Sequence, residues 1–277
     1  MHLGEIVNRL SSLVCAALLL ASCQQVGAAT VLYYDLAGIP NAAIPTWSAT
    51  SVAPGLTGFD LSRGAGVTAS NLTNGFSANG WHGKTSLQDA VSLGAYFQFG
   101  LGVNNGFNAS LSSLDLSLRR SAVAAPMNMQ VQASLDGFAT EGIVISSFNY
   151  FGRTSGSAPN PDPLLDDPFY YMTNDLPGRP NTTTSPGDAI PTIDLTSFAA
   201  LQNLQGGSQV TFRLFAWGND STVSTNSLAL GRMVGPAIGG TLTAVPEPGS
   251  FAVLGATVLV GGAVRRFRRS NSSASGK

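Results

Sequence analysis

His82 is the single histidine between residues 30 and 244, so a Ser–His–Asp relay or an imidazole-held metal would have to be built around it. The other parts of such sites are missing. No Gly-x-Ser-x-Gly turn exists to expose an activated serine, and an imidazole metal site needs several ligands of the same kind. The two cysteines, Cys15 and Cys23, both lie near the N-terminus. Beyond them the chain has no thiolate nucleophile, zinc–thiolate site or disulfide.

Carboxylates are the next candidates. Asp162, Asp166, Asp167 and Asp175 form the densest acidic cluster, inside a proline-rich stretch. Calcium takes six to eight oxygen ligands, but this spacing lacks the alternate acids around a glycine of an EF-hand, and a solvated loop is expected. Glycoside hydrolysis needs two carboxyl groups flanking one bond. Between residues 30 and 244 the only glutamate is Glu141, so a pair would have to come from aspartates. Asp115 and Asp136 stand at strand ends and read as turn and edge residues. Trp81, Phe169, Tyr170, Tyr171 and Trp217 could stack on the apolar faces of sugar rings. Each has a structural role open to it as well, Trp217 in a core and the tyrosines as pins for a loop.

The elements that would carry these residues alternate with period two, and no long 3.6-residue period appears. Met127, Met129, Val131, Ala133 and Leu135 alternate with Asn128, Gln130, Gln132 and Ser134, and Asp136-Gly137 then signals a turn. Residues 143–150 are apolar and aromatic enough to pair with that strand as a hairpin. Val210, Phe212, Leu214 and Ala216 alternate with Thr211, Arg213, Phe215 and Trp217, which predicts a strand covered on both faces. Leu114, Leu116 and Leu118 mark another strand, as do Leu228 with Leu230 and residues 238–244. Earlier strands are expected over 31–36, 59–61, 67–72 and 95–101. One weak helical turn falls near 197–204. Residues 76–89, with Trp81, His82 and Lys84 between glycines, read as a mobile loop. Residues 151–190 read as a long Pro-, Asp- and Asn-rich loop, functional or disordered. About ten short strands with polar turns predict an all-β, antiparallel, jelly-roll-like β-sandwich over 30–244.

That body holds eight basic and 13 acidic residues, a net charge of −5. Nucleic acid is excluded as a partner on this balance, because it is gripped by clustered Lys and Arg.

The ends are organised differently. Arg9 precedes an apolar run over 10–21 and small residues follow, the layout of a secretory signal peptide over residues 1–29. Cleavage around Ala28 and Ala29 would start the mature chain at Ala29 or Thr30. Alternatively, Leu20-Ala21-Ser22-Cys23 reads as a lipobox that would lipidate Cys23. At the other end, Pro246, Glu247 and Pro248 are followed by fourteen uncharged residues, 251–264. As a helix that run is about 21 Å long, and it is apolar all round, unlike a core helix with one wet face. Pro248, Gly249 and Ser250 lengthen it, and snorkelling arginines add reach towards a hydrocarbon core of about 30 Å. Arg265, Arg266, Arg268 and Arg269 would hold that end cytoplasmic. A polar tail, 271–277, closes the chain.

The ordered trio over 245–270 resembles the PEP-CTERM sorting signal of exosortase-processed bacterial proteins. The resemblance implies transient anchoring in the inner membrane, cleavage near Pro246-Glu247-Pro248 by an exosortase-type enzyme, and delivery to the cell surface or extracellular matrix. The 130–145 stretch, with its Ser134-Leu135-Asp136-Gly137-Phe138 turn, is loosely similar to carbohydrate-binding-module-like jelly rolls, which bears on the fold more than on a ligand. Three readings of the body follow: a structural surface protein with no catalysis and no cofactor, a binding module for extracellular polysaccharide, and a secreted hydrolase using aspartates. An N-terminal lipid would duplicate the C-terminal anchor. Mass spectrometry of the exported protein should therefore find a mature start at Ala29 or Thr30, and a diacylglyceryl-modified Cys23 peptide would refute this.

Overall fold

The computed structural model describes residues 29–120, 125–152, 169–172, 187–218 and 224–245. The expected signal peptide up to Ala28, Pro246-Glu247-Pro248, the apolar run and the basic cluster lie outside them, as do Asp162, Asp166, Asp167 and Asp175. Among the described residues no helix is long and apolar enough to cross a membrane.

The described chain is all-β with one short helix. Strands β1 (Ala29–Asp35), β2 (Ser51–Val52), β3 (Leu56–Arg63), β4 (Thr68–Ser70) and β5 (Phe76–Asn79) precede helix α1 (Leu87–Leu93). After it come β6 (Tyr96–Val103), β7 (Phe107–Asp115), β8 (Ser117–Arg120), β9 (Asn128–Ser134) and β10 (Ile143–Gly152). Then follow β11 (Phe169–Met172), β12 (Asp188–Ala189), β13 (Ile193–Asp194), β14 (Gln209–Trp217), β15 (Leu228–Leu230) and β16 (Val234–Ala244). A six-stranded sheet runs β11-β10-β9-β14-β6-β3, and two five-stranded sheets run β13-β7-β16-β1-β2 and β12-β8-β15-β5-β4. Its β10–β11 pair is parallel.

The two five-stranded sheets share long strands that break in passing from one to the other. β7 and β8 are separated by Leu116 alone, and β15 and β16 by Gly231, Arg232 and Met233. Gly231 makes the second break possible. Its φ is +65°, and a Cβ added there would lie 1.9 Å from the Val234 carbonyl oxygen. An L side chain is strained at that φ and has no space.

Alternation sets what each strand buries. Phe97, Phe99 and Leu101 of β6, Met129, Val131 and Ala133 of β9, and Val210, Phe212, Leu214 and Ala216 of β14 all turn inward and are buried. Phe99 stacks on Phe212 at 5.6 Å and meets Tyr34 of β1 edge-on at 6.3 Å. Phe97 lies 6.0 Å from Phe76 of β5 and 5.6 Å from Trp81. One sheet thus packs against both others.

Two expectations for this region need correction. Residues 76–89 are not a mobile loop: they hold β5, the turn with Trp81, and the start of α1. Trp81 is fully buried, and its indole N–H donates to the Ala78 carbonyl at 2.8 Å. Flanking glycines permit the turn here, and the ring supplies the burial that fixes it. α1 went unforeseen because seven residues show too little of a 3.6 period. It is set instead by a capping box, in which Ser86 accepts from the Asp89 N–H and the Asp89 side chain accepts from the Ser86 N–H, and it ends at Gly94 with φ +68°. Residues 151–190 are likewise not all loop, since β10 runs to Gly152 and β11 and β12 fall within them. Gly231→Ala should lower the unfolding free energy of the full chain by about 1–3 kcal/mol, read as a lower denaturant midpoint at unchanged slope.

Candidate functional site

Residues on the outer side of the six-stranded sheet form the richest constellation of polar and aromatic side chains. Arg213 of β14 lies opposite Gln98 of β6 and opposite Gln132 of β9, so three adjacent strands put an amide, a guanidinium and an amide in one cross-strand row. In the next row Phe215 lies between Tyr96 and Gln130, and Gln130 pairs in turn with Ser147 of β10. Gln132 Nε2 donates to Gln130 Oε1 at 2.6 Å, and Gln130 Nε2 donates to Ser147 Oγ at 2.9 Å. Trp217 ends the strand opposite Asn128, half-buried.

Arg213 is the centre of this face. Its Nε donates to Gln98 Oε1 at 2.8 Å. The guanidinium carbon sits 4.2 Å from the centroid of Tyr96 and 4.1 Å from that of Phe138, a double cation–π clamp. Burial lowers its pKa somewhat, and it stays cationic at any ordinary pH. Phe215 buttresses the clamp from beneath, edge-on to Tyr96 at 5.4 Å and to Phe138 at 6.5 Å.

The turn after β9 delivers Phe138. Ser134 Oγ accepts from the Phe138 N–H at 2.7 Å and donates to Asp136 Oδ1 at 2.7 Å. The Asp136 carboxylate also accepts from the N–H groups of Ala139 and Thr140 and from the Thr140 hydroxyl, the last at 2.6 Å. Within this net Phe138 takes φ +68°, an uncommon conformation for a bulky residue, which the surrounding bonds must enforce. Asp136 is the turn residue expected, and its pinning of the loop places a ring over the arginine. The Thr140 hydroxyl, then that of Ser134, hold the Asp136 carboxyl down to about 2.

The other sequence candidates are dispersed. His82 is exposed on the turn after Trp81. Trp81 is core, so it joins no stacking platform; Trp217 does reach the outer face. Phe169, Tyr170 and Tyr171 lie on β11, beside β10. Asp115 ends β7 and accepts from the Thr192 hydroxyl at 2.5 Å. Ala29 opens β1, exposed and opposite Gly240. Among the described residues no three His, Cys, Asp or Glu side chains group to hold a metal ion. A shallow groove of about 300 Å³ lies between β10 and β13, with Ile145, Phe148, Ile190 and Phe198 in its walls. Its carboxylate, Asp194, is taken by the backbone N–H and hydroxyl of Thr196. The outer row escaped a sequence reading because it exists only once β6, β14 and β9 are in register. Alternation set Arg213 on the face opposite Phe212, in a strand expected to be covered on both faces, and named none of its neighbours.

Compared with protein-family models, curated proteins and solved structures, the chain matches none.

The Asp136 net has a signature in pH. Its folded pKa lies below the ordinary carboxyl value, so its contribution to stability is present above about pH 4 and is lost as pH falls towards 2. Denaturant midpoints of the wild type and Asp136→Asn, followed from pH 7 to pH 2, should show a gap that holds near neutrality and closes across that window. A pH-independent gap would mean that the carboxylate charge has no part in the turn.

Proposed function

We propose that the chain is an exported bacterial protein, held briefly in the inner membrane by its C-terminal helix, cut by an exosortase-type enzyme and left at the cell surface or in the extracellular matrix. There the body acts without catalysis. The tail carries this reading: Pro246-Glu247-Pro248, an uncharged run and four arginines, in that order, opposite a secretory leader. The position of β1 is in keeping with it, because a cut before Ala29 leaves whole, and one before Thr30 shortens by one residue, a strand flanked on both sides, by β2 and β16. For the body we propose a jelly-roll-like sandwich, supported by strands that run on from one five-stranded sheet into the other opposite a single six-stranded sheet.

A second reading, binding of extracellular polysaccharide, is favoured by the outer sheet face. Sugar hydroxyls both donate and accept, and the half-buried Gln98 and Asn128 offer amides that do the same. Gln130 and Gln132 are buried and bond to each other, which fixes the row. Tyr96, Phe138 and Trp217, each half-buried, border the row with apolar ring surface. The hydrolase reading draws less support. Asp89, Asp136 and Asp194 are engaged by hydrogen bonds within their own turns, and Asp115 by Thr192.

Two experiments test these readings. In a host with an exosortase, Pro246→Ala with Pro248→Ala should leave insertion intact and block processing, so that uncut protein collects in the membrane fraction. Replacing Arg265, Arg266, Arg268 and Arg269 with serine should weaken the stop and the orientation. Processing of the double proline variant at the wild-type rate would refute sorting by this motif. On a glycan array, the full chain should bind a restricted set of polysaccharides, and Trp217→Ala should weaken that binding about five- to a hundredfold, the range for loss of one stacking ring. An array with no binding would leave the purely structural reading.

A further inference from the structure

The Arg213 guanidinium is only partly spent. Of its five N–H donors, the one on Nε is given to Gln98. The Tyr96 and Phe138 rings take the charge from above and below. Among the described residues no hydrogen bond or ion pair reaches Nη1 or Nη2, and neither is a buried nitrogen without a partner. Neither is therefore sealed from solvent, and four N–H donors of the half-buried planar fork have no partner among the described residues. Arg63 is treated quite differently. Its Nε and Nη1 are held by the carbonyls of Ser77, Ile44 and Pro45, its plane covers Phe76 at 3.6 Å, and its Nη2 is shut in. That arginine is a strut. Arg213 is built as a receptor: the rings fix the plane and Gln98 fixes the rotation, so little freedom remains to be lost when the fork is used.

A fork so held is complementary to a planar carboxylate, which accepts two parallel N–H bonds. The body as a whole carries a net charge of −5, and a positive receptor in an acidic surface is selective for the group it fits. We propose that the outer face of the six-stranded sheet binds a carboxylate-bearing saccharide, with Arg213 gripping the uronate carboxylate through Nη1 and Nη2 while Gln98 and the flanking rings, all half-buried, receive the sugar. This rests on the polysaccharide reading above and adds the class of sugar. An acidic peptide would satisfy the fork too. The ring surfaces around it suit the flat C–H face of a pyranose, which a polyglutamate chain does not present.

The test uses the full chain in detergent, titrated with oligogalacturonate, with the same oligosaccharide after carboxyl reduction, and with polyglutamate. The acidic sugar should bind about ten- to a hundredfold more tightly than the reduced one, the range for a charge-assisted hydrogen bond, and polyglutamate should bind no better than the reduced sugar. Arg213→Gln should remove that preference, so that the acidic and the reduced sugar bind the variant equally. Should the loss of Arg213 let the 134–140 turn lift, Gln98→Glu provides an independent check. It keeps an acceptor for Nε and the ring clamp, but supplies an internal carboxylate to occupy the guanidinium, so it should abolish the preference at undiminished thermal stability. Equal affinity for acidic and reduced sugars would overturn the acid-recognition claim and leave polysaccharide binding standing. Equal loss of both sugars in Arg213→Gln, with the preference intact in Gln98→Glu, would make Arg213 a strut and overturn it as well. Polyglutamate binding as tightly as the acidic sugar would overturn the saccharide assignment, and no binding of either sugar would overturn both readings.

Discussion

Phe97 and Phe99, two residues apart on β6, point the same way and meet different partners. Phe97 reaches Phe76 and Trp81, while Phe99 reaches Tyr34 and Phe212. The molecule depends on that divergence. The two five-stranded sheets are joined by strands that break and by bonds of Gly38 and Ile39 with Asn74, and a break at Leu116 or Gly231 interrupts the ladder of hydrogen bonds. Burial against one continuous opposing surface is what keeps the two in line. Tyr34 adds a polar tie from the same place: its buried hydroxyl donates to the Phe59 carbonyl of β3, linking β1 to the edge of the six-stranded sheet. Desolvation raises its pKa, so the hydroxyl stays a neutral donor.

Charge is distributed by a consistent rule in the described body. Several cations are turned onto carbonyls and rings: Lys84 donates to the Gly80 carbonyl at 2.6 Å, and Arg63 spans three carbonyls over Phe76. Burial lowers the pKa of both, that of Arg63 to about 10. The carboxylates lie outside, on turns and strand ends, where hydrogen bonds from neighbouring hydroxyls and amides hold Asp89, Asp136 and Asp194 below the usual range. Anions thus set the field that an approaching molecule feels, and most cations are withdrawn from it. Arg213 departs from the rule in one respect, which is that its terminal nitrogens remain outside.

How much of this the sequence shows depends on burial. β9 and β14 were legible because one face is apolar and the other polar or aromatic, so the period of two survives. β5 was not: Phe76, Ser77 and Ala78 are all buried, and a strand covered on both faces has no alternation to read. Trp81 between glycines looked like an exposed lure, since composition cannot tell a ring that anchors a turn from one that decorates it. Leu135 continued the apolar series of β9 in sequence yet stands exposed, because the chain has already begun to turn at Ser134. The tail is read from order along the chain alone, and its residues from Pro246 onward lie outside those described.

A face like that around Arg213 has to be assembled by register, and register is costly to change. Shifting β14 by one residue against β6 and β9 would send Arg213 into the core and Phe212 to the surface. The same stacking of Phe212 on Phe99 that closes the core therefore also fixes which amides flank the guanidinium. The turn over 134–140 adds the last ring, since Phe138 is carried on the connection between β9 and β10. Core and site are thus two faces of one set of strand pairings. A substitution at Arg213 or Gln98 alters the chemistry of the face without touching the inner rings, whereas one at Phe99 or Phe212 would disturb both.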